Sequence, residues 1–215
     1  MIVDLSHRIE DGRGAYPGLP PPRLGAILDH EASRDRYEGR AEFYLGWVEL
    51  AGNTGTYVDA PFHRFPDRDD LAAIPLERLA GLPGVVATAA DRGGPVEMAL
   101  DAETVAGRAV LIRTGRDRRW GKEEYWHDAP FLDASVADRL VRAGAALVGV
   151  DFGNVDDTGD PVRPAHTRLL EAGIPIVESL RGLDALPPGD FRFTAAPLPL
   201  VRGASFPVRA FAEIP

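Results

Sequence analysis

The chain reads DASVADRLVRAGAALVGVD from Asp133 to Asp151 and PAHTRLLEAGIPIVE from Pro164 to Glu178. The first segment opens with a capping aspartate and continues with apolar residues at helical spacing, namely Val136, Leu140 and Val141. Gly144 and Gly173 each end a helix and are each followed by a short apolar strand. This αβαβ order favours parallel strands joined by right-handed crossovers. We therefore predict helices over Asp133–Ala143 and Pro164–Ala172.

The rest of the chain is richer in strands than in helices. Short apolar runs bounded by Gly, Pro or Asp predict strands at Ile2–Leu5, Phe43–Leu50, Val85–Ala89, Ala109–Thr114, Ala146–Asp151, Ile174–Glu178, Phe191–Ala195 and Phe206–Phe211. Both alternating faces of Phe43–Leu50 are mostly apolar, which predicts a strand covered on both sides. The predicted fold class is mixed α/β, rich in β-strands.

Composition narrows the class of protein. The 215 residues predict a single domain over 1–215, and the absence of cysteine leaves His and carboxylates as the strong metal ligands. A net charge of -9 argues against nucleic-acid binding. No segment has the length and hydrophobicity of a membrane span, and the N-terminus is not a signal peptide, so we expect a cytoplasmic protein that does not bind membranes.

Four polar residues stand out as a candidate site. Asp59 and His63 lie on a turn after a predicted strand, and Pro61 between them argues for a bent loop rather than a helix. His166 opens the second predicted helix, and Glu178 ends the strand that follows. Two imidazoles and two carboxylates suit zinc, manganese or iron(II).

The stretch around Asp59 carries a family resemblance. Residues 53–63 resemble the signature His-x-Gly-Thr-His-x-Asp-x-Pro-x-His of the cyclase family, which includes bacterial kynurenine formamidases and isatin hydrolase. Five of its seven fixed positions match, as Gly55, Thr56, Asp59, Pro61 and His63. Further similar segments are Asp4–Ser6, Tyr16–Gly18, Ile112–Gly115, Val148–Asp151, Pro164–His166, Ile176–Glu178 and Ser205–Ala210.

The resemblance implies a swivelling β/β/α domain that forms homodimers or larger homo-oligomers. It also implies a divalent metal centre that hydrolyses a small amide or cyclic amide, in the manner of an arylformamidase of tryptophan catabolism. Asp59, His63, His166 and Glu178 correspond to family metal ligands. Two further family ligands are histidines, and this chain has Asn53 and Tyr57 in their place. We therefore expect one divalent ion, zinc or manganese, rather than two.

The roles of individual residues stay open at the level of sequence. His63 is either a fourth ligand or the group that carries a proton to the leaving nitrogen. Tyr57 is either a catalytic hydrogen-bond donor to an oxyanion or a side chain that fills the space of the missing imidazole. Asp151 and Asp156 either orient ligands or form turns. Trp47, Trp120, Tyr125 and Trp126 either line an aryl pocket or belong to the core.

Three functions are compatible with these residues. The first is a metal-dependent hydrolase in which activated water attacks the carbonyl carbon of a small-molecule substrate. The second is a metal-free lyase or cyclase that works by acid–base chemistry through His63 and Tyr57. The third is a metal-free protein that only binds a small molecule or has a structural role.

Overall fold

The computed structural model of the chain describes residues 1–99 and 101–215. Its α-helices are α1 (His30–Arg36), α2 (Ala102–Val105), α3 (Ala134–Arg142) and α4 (Pro164–Glu171). Its strands are β1 (Ile2–Asp4), β2 (Arg23–Leu28), β3 (Leu45–Glu49), β4 (Tyr57–Asp59), β5 (Leu82–Thr88), β6 (Gly94–Pro95), β7 (Ala109–Arg113), β8 (Pro130–Phe131), β9 (Leu147–Val150), β10 (Ile176–Glu178), β11 (Phe191–Thr194), β12 (Ser205–Pro207) and β13 (Phe211–Glu213). The predicted mixed α/β class is confirmed.

One large sheet organises the molecule. Its nine strands lie in the order β1-β13-β11-β5-β7-β9-β10-β4-β12. Strands β5, β7, β9 and β10 are parallel neighbours, and β4 and β12 are antiparallel to the strands beside them. The parallel arrangement predicted for β9 and β10, with α4 between them in the chain, is confirmed.

The sheet curls back on itself. β12 and β13 stand seven places apart in the strand order, which corresponds to roughly 34 Å across a flat sheet. Only residues 208–210 connect them, and a chain of that length spans at most about 14 Å. The two ends of the strand order must therefore approach each other. The prediction of one strand over Phe206–Phe211 was wrong, because its two ends pair with different partners.

The faces of the sheet bury two cores. Val58 of β4 and Val177 of β10 point into one core, together with Leu5 and Phe193. Ile176 points to the opposite face, where the buried sides of α3 and α4 pack through residues such as Leu140 and Leu169. Because side chains alternate along a strand, Tyr57, Asp59 and Glu178 lie on the face that carries α4.

The two predicted helices are confirmed with their ends shifted by a residue. Asp133 caps α3 by accepting a hydrogen bond from the backbone N–H of Val136 at 2.8 Å. Pro164 occupies the first turn of α4, where its missing N–H costs nothing. Because α4 connects the parallel strands β9 and β10, it starts beside their carboxyl ends. His166, in the first turn of α4, therefore lies over that edge of the sheet.

The prediction for Phe43–Leu50 was wrong in its burial. β3 pairs only with β2, in a separate two-stranded sheet, and most of its side chains are exposed. Leu45 is 50% and Val48 62% exposed. An apolar run reports the residues available for burial, but it does not report whether another layer covers them.

No helix in the described ranges has both the length and the hydrophobicity needed to cross a membrane.

Candidate metal centre

Three of the four predicted site residues meet on one face of the sheet. Asp59 ends β4, Glu178 ends β10 and His166 lies in the first turn of α4, and all three are buried. Each offers one ligand atom, and these three atoms lie within 4.8 Å of one another. Asp59 lies on a strand rather than on the bent loop that was predicted, and only Pro61–His63 form a tight 3-10 turn.

The His166 ring faces the two carboxylates through one nitrogen. Nε2 lies 3.7 Å from Asp59 Oδ2 and 3.7 Å from Glu178 Oε1. Ligand atoms around a tetrahedral zinc ion stand about 3.3 Å apart, so only a small contraction would bring these three onto one ion. Asp59 Oδ2 is buried and has no hydrogen-bond partner among the residues that the structure describes. An unpaired buried carboxylate oxygen is costly, and a cation would satisfy it.

Asp156 holds the other side of the same ring. Its Oδ2 lies 2.6 Å from His166 Nδ1, and because a carboxylate only accepts, Nδ1 is the donor. Asp156 also accepts from the backbone N–H groups of Ala165 and His166. Nε2 is thereby directed at Asp59 and Glu178. Of the two roles considered for Asp156, this contact supports orientation of a ligand.

The hydrogen bonds of Asp156 lead to a prediction. In Asp156→Asn the amide keeps one acceptor but loses the charge that orients the ring, so we expect divalent-ion affinity to fall about 10- to 100-fold. Competition with a chromogenic chelator would measure the affinity. Asp157→Asn is the matched control, since Asp157 is exposed and bonds only to the nearby Gly159 backbone. Equal affinities in both variants would contradict the orienting role.

Tyr57 and Glu178 form a tight buried pair. The Tyr57 hydroxyl donates to Glu178 Oε2, and the Val155 backbone N–H donates to Oε1 at 2.6 Å. The Asn53 side chain lies beside the same hydroxyl. Burial, reinforced by Glu178, raises the pKa of Tyr57 well above its usual value, so the phenol stays protonated. Tyr57 therefore fixes the Glu178 carboxylate.

His63 lies at the edge of the cluster. Its Nδ1 is 3.2 Å from Ser205 Oγ and 3.9 Å from Asp59 Oδ1, and its side chain is 35% exposed. The Ser205 hydroxyl donates to Asp59 Oδ1, so in its contact with His63 the serine oxygen accepts from Nδ1. This contact leaves Nε2 as the ring nitrogen that does not face Ser205. Ser205 was missed as a site residue, because it stands 146 positions away from Asp59.

The His166 ring is the cation of the metal-free cluster. Burial disfavours a charged imidazole, but the hydrogen bond that His166 donates to Asp156 and the charges of Asp59 and Glu178 raise the pKa of His166 to about 10. Burial raises the pKa of Glu178 to about 7, despite the nearby His166. In the metal-free protein the His166 ring is therefore positively charged, with both nitrogens protonated, and it lies among the carboxyl groups of Asp59, Asp156 and Glu178.

Aromatic side chains line a cavity of about 620 Å³ beside Asp156, and none of Asp59, His63, His166 and Glu178 lines it. Its lining includes Tyr16, Tyr125, Trp126 and Phe131, and Asn154 and Asp156 connect it to the cluster. Asn154 Nδ2 donates to the Tyr16 hydroxyl at 3.3 Å. Of the aromatics singled out in the sequence, Tyr125 and Trp126 line this cavity, Trp120 packs against both, and Trp47 lies on the β2–β3 hairpin.

His7 stacks on Trp120 at a centroid distance of 3.9 Å. Burial, with a contribution from the positive charge of Arg181, lowers the pKa of His7 to about 3. In the unfolded chain the His7 imidazole becomes protonated near pH 6.5, whereas in the folded chain it stays neutral until about pH 3. The contribution of His7 to the stability of the fold is therefore complete above pH 6.5 and is lost as the pH falls toward 3. Through this one group the free energy of unfolding changes by at most about 1.4 kcal/mol per pH unit.

The variant His7→Phe keeps a stacked ring but cannot titrate. We expect its free energy of unfolding to fall less steeply than that of the parent between pH 6 and pH 4, as measured by urea titration at each pH. Parallel curves for the two proteins would contradict a buried neutral imidazole.

Comparisons with known proteins identify a family and a shared fold. The family model Cyclase, described as "Putative cyclase", matches residues 3–157. A kynurenine formamidase of Geobacillus thermodenitrificans is 29% identical over 213 residues, which cover 97% of this chain and 95% of that protein.

Solved structures share the fold. Isatin hydrolase A from Ralstonia solanacearum superposes with a TM-score of 0.83 at 23% identity, covering 100% of this chain and 92% of that one. A structure described as a potential metal-dependent hydrolase with cyclase activity gives 0.77 at 23% identity, covering 99% and 96%. Since the family model spans well over half of the chain, the protein belongs to the cyclase family.

Proposed function

We propose that this protein is a hydrolase that cleaves the C–N bond of a small amide or cyclic amide with one divalent ion, zinc or manganese, held by Asp59, His166 and Glu178. The observation that carries the proposal is the buried Asp59 Oδ2, which has no hydrogen-bond partner and faces His166 Nε2. The chemistry that such an ion supplies is polarisation of the carbonyl and a lower pKa for water, toward about 7.

The three ligands have different constraints. Asp59 keeps Oδ2 free because Ser205 occupies Oδ1, so it offers a single oxygen. Glu178 is held through both oxygens, because Tyr57 donates to Oε2 and the Val155 backbone N–H donates to Oε1. Oε1, which lies 3.7 Å from His166 Nε2, therefore keeps one lone pair for an ion. A three-ligand set leaves a fourth position for water or substrate, as in catalytic zinc sites.

His63 is the residue suited to proton transfer. Ser205 orients its ring, and the exposed part of the side chain is within reach of a substrate at the edge of the cluster. Its Nε2 takes a proton when water attacks and returns that proton to the leaving nitrogen, which departs as an amine. This assigns His63 to proton transfer rather than to a fourth ligand position. Tyr57 is a positioning residue for Glu178, because its hydroxyl is already engaged.

The neighbouring cavity favours an aromatic substrate. Four aromatic side chains line it, and flat rings pack well against such walls. An N-formyl aryl amine or an aryl-fused cyclic amide has both a flat ring for this cavity and a C–N amide bond for the metal centre. The names of the relatives, kynurenine formamidase and isatin hydrolase, favour the same class. We therefore place the substrate among aryl amides.

Metal content and turnover test the proposal together. Elemental mass spectrometry on untagged protein is expected to find about one zinc or manganese per chain, and N-formyl aryl amines are expected to be hydrolysed only by the loaded protein. Glu178→Gln should lose both the ion and the turnover. Glu171→Gln, an exposed glutamate at the end of α4, is the matched control.

A metal-free lyase, cyclase or small-molecule binder is the second candidate. Asn53 and Tyr57 favour it, because they stand where the family resemblance implies imidazoles. If the protein took up no ion from excess zinc or manganese, the hydrolase proposal would be withdrawn. Turnover that survives chelation would then identify acid–base chemistry, and tight ligand binding without turnover would identify a binding protein.

A further inference from the structure

A second, basic cavity lies on the other side of Trp126. Its volume is about 770 Å³, within the range of small-molecule sites. Segments 7–15 and 120–126 form its walls, together with Arg181. None of Asp59, His63, His166 and Glu178 lines it. Trp126 and Glu123 belong to both cavities, so the two are neighbours but chemically different.

The charge of this cavity is opposite to that of the protein. Arg8, Arg13, Lys122 and Arg181 line it, against two acidic residues, whereas the whole chain carries a net charge of -9. In the part of the chain that the structure describes, none of these four cations forms an ion pair within 4 Å. Four cations against two carboxylates leave a net positive charge around this cavity, and that charge attracts an anion.

The wall between the cations is aromatic. His7 stacks on Trp120 with an interplanar angle of 9°, and Trp126 packs near Trp120 at a centroid distance of 6.1 Å. His7 Nε2 is buried there without a hydrogen-bond partner. A Cβ on Gly14 would stand 3.6 Å from Trp120, so the backbone lies close to the same ring. A flat ligand ring would find apolar surface here.

We propose that this cavity binds a small aromatic carboxylate. Arginine side chains recognise the carboxylate group through paired N–H donors, and the ring packs against the Trp120 and Trp126 wall. The site is separate from the candidate metal centre and does not depend on the proposed hydrolase activity.

Direct binding tests this assignment. Calorimetric titration of the full chain with benzoate at low ionic strength is expected to show one site per chain. The double variant Arg13→Gln with Arg181→Gln should weaken benzoate binding at least about tenfold. Arg142→Gln is the control, since it removes one exposed arginine at the end of α3 and outside the cavity. Trp120→Leu should weaken benzoate more than it weakens inorganic phosphate.

Two related ligands separate charge from shape. Benzamide lacks the charge and cyclohexanecarboxylate lacks the flat ring, so both should bind clearly more weakly than benzoate. Equal binding of benzoate and benzamide, or an unchanged affinity in the arginine double variant, would overturn the proposal. Benzoate should bind Glu178→Gln as it binds the parent protein, and loss of binding there would place the ligand at the metal centre instead.

Discussion

Replacing His166 by alanine is expected to remove both the bound ion and the hydrolytic activity. The imidazole supplies the only nitrogen among the three ligands, and the two buried carboxylates of Asp59 and Glu178 would repel each other without it. A metal ion contributes several kcal/mol to transition-state stabilisation, so turnover should fall at least about a thousandfold. Ion content and turnover of an N-formyl aryl amine are the two measurements.

The matched control for this variant is His30→Ala. His30 is exposed at the start of α1 and lines neither the aromatic nor the basic cavity, so ion content and turnover should stay at the parent level. If His166→Ala kept a full complement of ion, the ligand set proposed for this centre would be incorrect, and His63 would become the imidazole to test.

Replacing Arg116 by methionine is expected to cause the largest loss of stability. The guanidinium is 1% exposed, pairs with Asp91 at 3.1 Å, and donates to the backbone carbonyls of Glu124, Tyr125 and His127. Methionine fills a similar volume but leaves a carboxylate and three carbonyl oxygens without this donor. We expect the free energy of unfolding to fall by about 3–5 kcal/mol, measured by urea titration.

Arg119→Met provides the comparison for Arg116. Arg119 also reaches Asp91, at 3.3 Å, but its side chain is 47% exposed, and exposed pairs contribute about 1 kcal/mol or less. Similar losses for the two variants would show that Arg116 does not hold the segment 116–127. Since Tyr125 and Trp126 line the aromatic cavity, the Arg116 variant should also bind aromatic ligands more weakly than the Arg119 variant.

Local signals in the sequence were sufficient for the helices and part of the site. The cap at Asp133 and the glycine stops fixed α3 and α4, and the short distance between His166 and Glu178 in the chain made their meeting predictable. β4 was not recognised, because it is three residues long and Pro61 follows it closely. The Ser205 contact and the Asp156 contact depend on tertiary structure and have no local pattern.

The burial of β3 and the single strand over Phe206–Phe211 were predicted incorrectly for a different reason. Hydrophobic residues at Leu45 and Val48 resemble those of a buried strand, and only the position of the hairpin outside the main sheet exposes them. The run Phe206–Phe211 contains Pro207 and Val208, where the chain leaves β12 for another part of the sheet. Apolar content does not specify which neighbour a strand will find.

The register of β4 with β10 and β12 determines which side chains meet in the site. Asp59 stands opposite Ile176 and Ser205, and Tyr57 stands opposite Glu178. A slip of one residue would turn Asp59 and Tyr57 toward the apolar core and Val58 toward the ligands. A single-residue insertion between Gly55 and Asp59 would therefore destroy the site. We therefore expect variants selected for new substrates to keep the residue spacing of β4 constant, even where the lengths of loops change.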